Sequence, residues 1–505
     1  MRTAWETYPI ELSGGLITNV SPLQQGMNFP GSATTLVNYE PSLEGGYKKV
    51  LGYSKWVDFA LPGTADIQAV ILTAARDTIA VRGGKYYFSQ DKSDWVEKLD
   101  LSATVGSTIR HVPFNFNGTP KVVMVDGVNK PVFYRADTHV ITQDTAASAD
   151  VLGANFVAEF KNRIFFGNGS MLIYTAPYAE TDYTPGNGAG VINVGDEITG
   201  LIVFRTELII FCRDQIKRLT GNSPSDFVLL DITKKSGCVA SDTIQEVGGD
   251  ILYLGPDGVR YLSATEKIED FGLQRASEQI QKELNALFNS GGIFCSLVVR
   301  EKAQYRIFRF DSEQTPQFSR GYLATKFIDQ QPSGMAWSSL MGFKVVCTDS
   351  KQFADEEVVI FSDNSSQVYQ MEFGNSFDGA DIECIFKIPF NPITDPRVRK
   401  TVYKHSLYIK TSGTFSLTAR LLLDYEQVGT VQPSEWVIGQ NSSGVSIYGE
   451  GVYGVSYYSG NLNSVYVSPV VGSAFTFSLE YREKSINPAF SLDTIILEFR
   501  TNDRK

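Results

Sequence analysis

The sequence predicts a mainly β protein: a β-propeller of about six to seven blades with a short helical insertion, followed by a β-sandwich-like C-terminal domain. Three observations carry that prediction. An apolar hairpin recurs at a nearly constant step. Gly (44), Tyr (24) and Phe (32) are plentiful, while long Ala, Leu, Glu and Lys runs are missing, a balance that favours strands and tight turns. The C-terminal stretches alternate apolar and polar residues, as half-buried strands do.

Each hairpin is an apolar run, a short polar or glycine turn, and a second apolar run. The first is Ile79–Val81, turn Arg82–Lys85, then Tyr86–Phe88. Val122–Val125 with Val132–Tyr134, Ile164–Phe166 with Met171–Tyr174, Leu208–Phe211 with Ile216–Leu219, and Ile251–Leu254 with Val259–Leu262 follow. The starts at 79, 122, 164, 208 and 251 are 43, 42, 44 and 43 residues apart, the step of a four-stranded propeller blade. A later copy, Val358–Phe361 with Val368–Tyr369, lies 107 residues on, with a weaker one at Arg306–Phe310 between them. A sandwich also yields hairpins but has no reason to repeat them at this step, and no Trp-Asp or kelch signature is present.

The excess over two steps is explained by a helical insertion at about 274–290. Ile280, Leu284, Leu287 and Phe288 form one helical stripe, with Ser277 as N-cap and Gly291-Gly292 as stop. Ile280 and Leu284 are candidates for reaching another subunit, the alternative being packing on a neighbouring blade. Residues 1–55 are turn-rich without a helical period and are expected to run as an extended N-terminal arm. The propeller is assigned to 56–375 and the sandwich-like domain to 376–505, packing with the arm. Phe386–Pro392 resembles a linker. The sandwich strands are expected near Leu407–Ile409, Leu417–Leu422, Ala474–Tyr481 and Thr494–Phe499. Within that domain the Gly/Tyr/Ser-rich patch holding Tyr448, Tyr453, Tyr457 and Tyr458 reads either as an irregular hairpin or as an aromatic contact surface.

The chain has 505 residues, 43% hydrophobic and 12% aromatic, which excludes disorder. Its net charge of −11 argues against a nucleic-acid binder, whose phosphate affinity needs clustered Lys and Arg. The N-terminus lacks the apolar stretch of a signal peptide, and Ile198–Cys212 is too short and too charged to span a bilayer. Five widely spaced cysteines without CxxC spacing predict buried free thiols made in a reducing cytoplasm. His111, His139 and His405 fall in no metal or nucleophile motif, and no nucleophile elbow, phosphate loop or calcium loop is found. Paired carboxylates of a glycosidase cannot be chosen among 56 acids. No catalytic, cofactor-binding or metal residue is therefore assigned, and no cofactor is expected.

Certain residues resemble a known family. Gly14-Gly15-Leu16, Asn38 and Gly45–Tyr53 in the arm, Phe160–Phe166, Gly195–Leu201, Gln215–Gly221, Ser236–Ala240 and Gly255–Val259 are similar to the tail nozzle proteins of short-tailed bacteriophages, also called tail tubular protein B or tail stabilisation proteins. The resemblance covers roughly residues 10–270. It implies a non-enzymatic virion subunit, made in the host cytoplasm, that forms a hexameric distal tail tube. That tube would sit below the portal's adaptor ring, carry fibre or spike proteins, meet the host envelope at infection, and retain and then conduct the genomic DNA without sequence-specific binding. Six copies at −11 give −66, a charge that would keep DNA from sticking to a channel wall. The alternative is a propeller glycan hydrolase or lectin with a sandwich appendage.

Overall fold

The computed structural model describes residues 5–101, 106, 108–263, 275–288, 292–310, 319–327, 334–411, 413–440 and 462–502. It is mainly β, built of many sheets whose strand pairings are antiparallel apart from one parallel pairing of an arm strand, with two short α-helices among the described residues. The arm contains β1 (Glu6–Glu11), α1 (Pro22–Asn28), β2 (Thr35–Val37), β3 (Tyr39–Pro41), β4 (Tyr47–Lys49) and β5 (Tyr53–Lys55). Helix α1 corrects the expectation of a wholly extended arm. Its seven residues are too few to display a period, yet Pro22 presets the first turn. Gly26 lets the helix lie on the C-terminal chain, since a Cβ there would stand 2.0 Å from the Phe390 carbonyl oxygen.

Four sheets of four strands follow in chain order. They are β6–β9 (Ile67–Leu72, Thr78–Arg82, Lys85–Ser89, Val96–Asp100), β10–β13 (Arg110–Phe116, Thr119–Val125, Val132–Arg135, Val140–Gln143), β14–β17 (Phe156–Phe160, Arg163–Asn168, Met171–Tyr174, Gly190–Asn193) and β18–β21 (Ile198–Phe204, Glu207–Cys212, Ile216–Thr220, Val228–Thr233). A fifth sheet has three strands, β22–β24 (Gln245–Val247, Asp250–Gly255, Gly258–Tyr261), and is followed by α2 (Gln281–Phe288). The sixth set is β25–β28 (Ile293–Val299, Gln304–Phe310, Ser319–Lys326, Met335–Leu340). The seventh is β29–β31 (Cys347–Gln352, Glu357–Ser362, Val368–Met371), to which the arm adds β5 as its fourth strand. The sequence repeat is the second strand of each set: Ile79, Val122, Ile164, Leu208, Ile251 and Val358 lie in β7, β11, β15, β19, β23 and β30, and the weaker copy lies in β26.

Neighbouring sheets pack through separate apolar clusters. Ile79 and Tyr86 of the first sheet meet Val122 and Tyr134 of the second. Val123 and Phe133 meet Ile164 and Phe166 of the third, and Phe165 meets Leu208 and Ile210 of the fourth. Phe211 meets Ile251 and Tyr253 of the fifth. Val358 and Ile360 of the seventh pack with Val70 and Ala80 of the first, together with Trp56 and Val57, which follow the arm.

The C-terminal strands are β32 (Ile382–Lys387), β33 (Lys400–Thr411), β34 (Phe415–Leu423), β35 (Trp436–Gln440), β36 (Leu462–Ala474), β37 (Phe477–Ser485) and β38 (Phe490–Thr501). The expected linker at Phe386–Pro392 is therefore partly strand, because β32 pairs with β37 on one side and β2 on the other. Through β2 a single nine-stranded sheet runs β25-β26-β27-β28-β2-β32-β37-β34-β35. The opposing sheet runs β3-β4-β38-β33-β36, with β1 also on β38. Their inner faces share one core, in which Phe386 and Tyr481 stack at 5.8 Å.

The insertion forms a 3₁₀ turn, Glu278–Ile280, running into α2. Ile280 and Leu284 are 0% exposed in the main core, so they cannot present a subunit contact. The stripe faces inward because Trp337, whose indole donates to the Ala276 carbonyl at 2.7 Å, and Val259 lie beneath it. Ser277 accepts from the Val259 amide at 3.1 Å instead of capping the helix. Tyr448, Tyr453, Tyr457 and Tyr458 lie outside the described residues.

Candidate functional site

A cavity of about 280 Å³ is lined by residues from the first strand of all seven sheets. Several of these strands bring polar side chains to the lining, among them Gln68, Arg110, His111, Gln245, Ser296 and Asp349. The Arg110 guanidinium (β10) grips Asp242, just before β22, through Nε–Oδ1 at 2.8 Å and Nη2–Oδ2 at 2.9 Å. It lies 4.7 Å over the Phe156 ring and donates to the Asn155 carbonyl at 3.2 Å. The pair joins the second sheet to the fifth, across three intervening sheet boundaries in chain order. His111 Nε2 stands 3.6 Å from Asp349 Oδ2 of β29. That carboxylate also accepts the Leu72 amide at 2.7 Å and the Ser350 amide at 2.9 Å. Ser296 donates to the Asp242 carbonyl (2.8 Å), while Gln245 and Thr348 both donate to the Ser296 carbonyl at 3.1 Å. All of the seven sheets but the fourth are thus cross-tied around the cavity by polar contacts.

Cys295 and Cys347 share this lining. Burial pushes the Cys347 thiol up to about 12, and burial first and then the neighbouring Cys347 push Cys295 up, so both are protonated and poor nucleophiles at neutral pH. All five cysteines are free, four buried and Cys347 half-buried. Burial lowers the Lys351 ammonium, with Asp349 opposing. The two carboxylates that a glycosidase would require are present here as Asp242 and Asp349, but one neutralises Arg110 and the other accepts two backbone amides. Among the described residues no cluster of three His, Cys, Asp or Glu side chains could hold a metal ion.

None of Arg110, Asp242 or Asp349 was legible as a site residue, and His111 falls in no motif that would single it out. The one signal was phase: they stand 12, 9, 9 and 11 residues ahead of the apolar starts of their sheets' second strands, which places them in or just before first strands.

A second polar cluster ties the arm to the sixth and seventh sheets. Arg306 of β26, wholly buried, pairs with Glu372 at 2.7 Å and Glu40 at 3.5 Å. Lys302 holds Glu40 at 2.7 Å and also contacts Glu372. Gln304 accepts from Arg306 at 2.7 Å and donates to Glu40 at 3.1 Å.

No family model matches the chain, and no curated protein sequence matches it. Among solved structures it is similar to the extracellular domain assigned to a one component system of B. thetaiotaomicron, with a TM-score of 0.40 and 10% identity over 77% of this chain. The chain spans 45% of the length of that one.

Proposed function

We propose that the seven sheets are the blades of one β-propeller, closed by arm strand β5, and that the chain is a ring-forming structural subunit of a short-tailed phage tail nozzle. The observation that supports the propeller is the single cavity lined by every sheet's first strand, as blades around an axis require. Packing of the seventh sheet on the first supports its closure. The same axis is cross-tied by Arg110–Asp242, so a conduit for DNA would lie between copies of the chain rather than through one. The arm contributes strands to three sheets, which makes the propeller and the C-terminal strands one load-bearing body. Six copies around an acidic channel would retain and then release the genome with little adhesion to the wall.

The test is the mass of the purified chain in solution, followed by negative-stain images with and without the co-produced adaptor. A six-fold ring, alone or on the adaptor, supports the reading. A monomer indifferent to the adaptor refutes it.

A further inference from the structure

The C-terminal domain carries an apolar seat and an apolar knob on opposite layers. The seat is the outer face of the β1-β38-β33-β36 sheet. On β36, Val465, Val467 and Val471 point to solvent at 47%, 58% and 68% exposure. Tyr408 lies beside Val465 in register, and Ile496 is one strand beyond Ser406, the partner of Val467. A solvent face of an antiparallel sheet ordinarily carries polar residues. Here the charge flanking the valines is held in neutralised pairs, Lys404–Glu498 at 3.1 Å and, beside Tyr408, Lys410–Glu44 at 2.6 Å. Strand spacing and rise give this face, its polar positions included, an area on the order of 400 Å², and a contiguous apolar patch of a few hundred Å² within such a face is the kind that marks a contact.

The knob is the loop between β34 and β35. Its base is clamped: the Leu423 amide donates to Gln432 Oε1 at 2.8 Å, and Gln432 Nε2 donates to the Leu423 carbonyl at 3.0 Å. A Thr430 amide to Gln427 carbonyl bond at 3.0 Å folds the tip. That tip holds up Val428, fully exposed, and Val431 at 88%. The knob springs from the nine-stranded sheet and the seat is the far side of the opposing sheet, so one domain cannot place its own knob on its own seat. A second copy brings the missing half. Neither strand β36 nor residues 427–432 contain a charged side chain, so copies that each carry −11 meet where their repulsion is least.

We infer that the Val428/Val431 knob of one copy seats on the Val465–Val471 face of the next, a head-to-tail contact repeated around the ring. This rests on the ring reading above and names its interface. Such a contact is heterologous, the kind that closes cyclic assemblies.

Two full-length variants test it by mass photometry: Val428→Asp/Val431→Asp on the knob, and Val467→Asp on the seat. All three positions are largely exposed, and unchanged melting and circular dichroism verify the fold. Each variant alone is expected to lose the ring, with self-association at least about 100-fold weaker, because a buried unpaired carboxylate is costly. Mixed together, the variants retain one intact interface and are expected to give a 1:1 complex, twice the 55.8 kDa chain, that grows no further. Rings formed by either variant, or a mixture that stays monomeric, overturn the inference and leave the ring reading standing. A seat variant of unchanged mass whose residues 441–461 become protease-sensitive also overturns it, since the chain would then cover its own seat. A wild-type chain that never forms a ring overturns both.

Discussion

Replacing Arg306 with Met probes the polar cluster that joins the arm to the sheets. Glu40 and Glu372 supply two negative charges, and Lys302 and Arg306 two positive ones, all within contact distance. Burial pushes the Glu372 carboxyl up, but the Arg306 guanidinium and Lys302 ammonium override it and hold the group at about 2. The drop from the usual 4.5 corresponds to about 3 kcal/mol of favourable interaction with the carboxylate. Because the folded value is the depressed one, this contribution is fully present above pH 4.5 and is lost as pH falls towards 2. Methionine fills similar volume without charge and leaves two buried carboxylates facing one lysine, so Arg306→Met is expected to cost about 3–5 kcal/mol at pH 7. Adding Glu372→Met restores neutrality and leaves the Lys302–Glu40 pair intact. The double variant is expected within about 1.5 kcal/mol of wild type. Urea unfolding gives the global values, and amide exchange in β3, which carries Glu40, reports local loosening of the arm. A single variant that loses less than about 1 kcal/mol, or a double variant as unstable as the single, would refute the reasoning.

Three further outcomes follow from particular contacts. Gly15 has φ +70°, and a Cβ there would stand 2.7 Å from both the Trp337 amide nitrogen and carbonyl oxygen, so Gly15→Ala is expected to cost more than about 2 kcal/mol by chemical denaturation. His405, buried with Nε2 2.6 Å from the Tyr481 hydroxyl, is lowered by burial to about 3. The unfolded chain takes up this proton near 6.5, so stability falls as pH drops from 6.5 towards 3, by at most about 1.4 kcal/mol per pH unit. His405→Gln should flatten that difference in paired pH–stability curves. Asp242→Asn removes the charge from the bidentate cross-tie while leaving one acceptor oxygen, and with both side chains about a quarter exposed a loss of about 1 kcal/mol is expected in the melting curve.

What could be read in advance depended on which strands are buried on both faces. The second strands β7, β19 and β30 are almost entirely buried, so they read as unbroken apolar runs and display the 43-residue step. Strand β26 is just as buried, but its interior includes Gln304, Arg306 and Arg309. At least Arg306 is affordable there only because Glu372 and Glu40, 66 and 266 residues away in sequence, neutralise it. That remote compensation is why the sixth copy looked weak: its signal was interrupted by the same charges that bind the arm. The arm strands β2 to β5 are three residues each, below the length at which alternation can be seen; β3 pairs locally with β4, but β2, β4 and β5 also pair with strands hundreds of residues on. The cavity pair Arg110–Asp242 spans 132 residues and no local pattern links its members. Periodicity thus reveals elements whose burial is uniform, whereas the contacts that cross-tie this molecule are exchanges between distant segments. These are also the contacts whose removal should loosen the body, which is why the predictions above are placed on them.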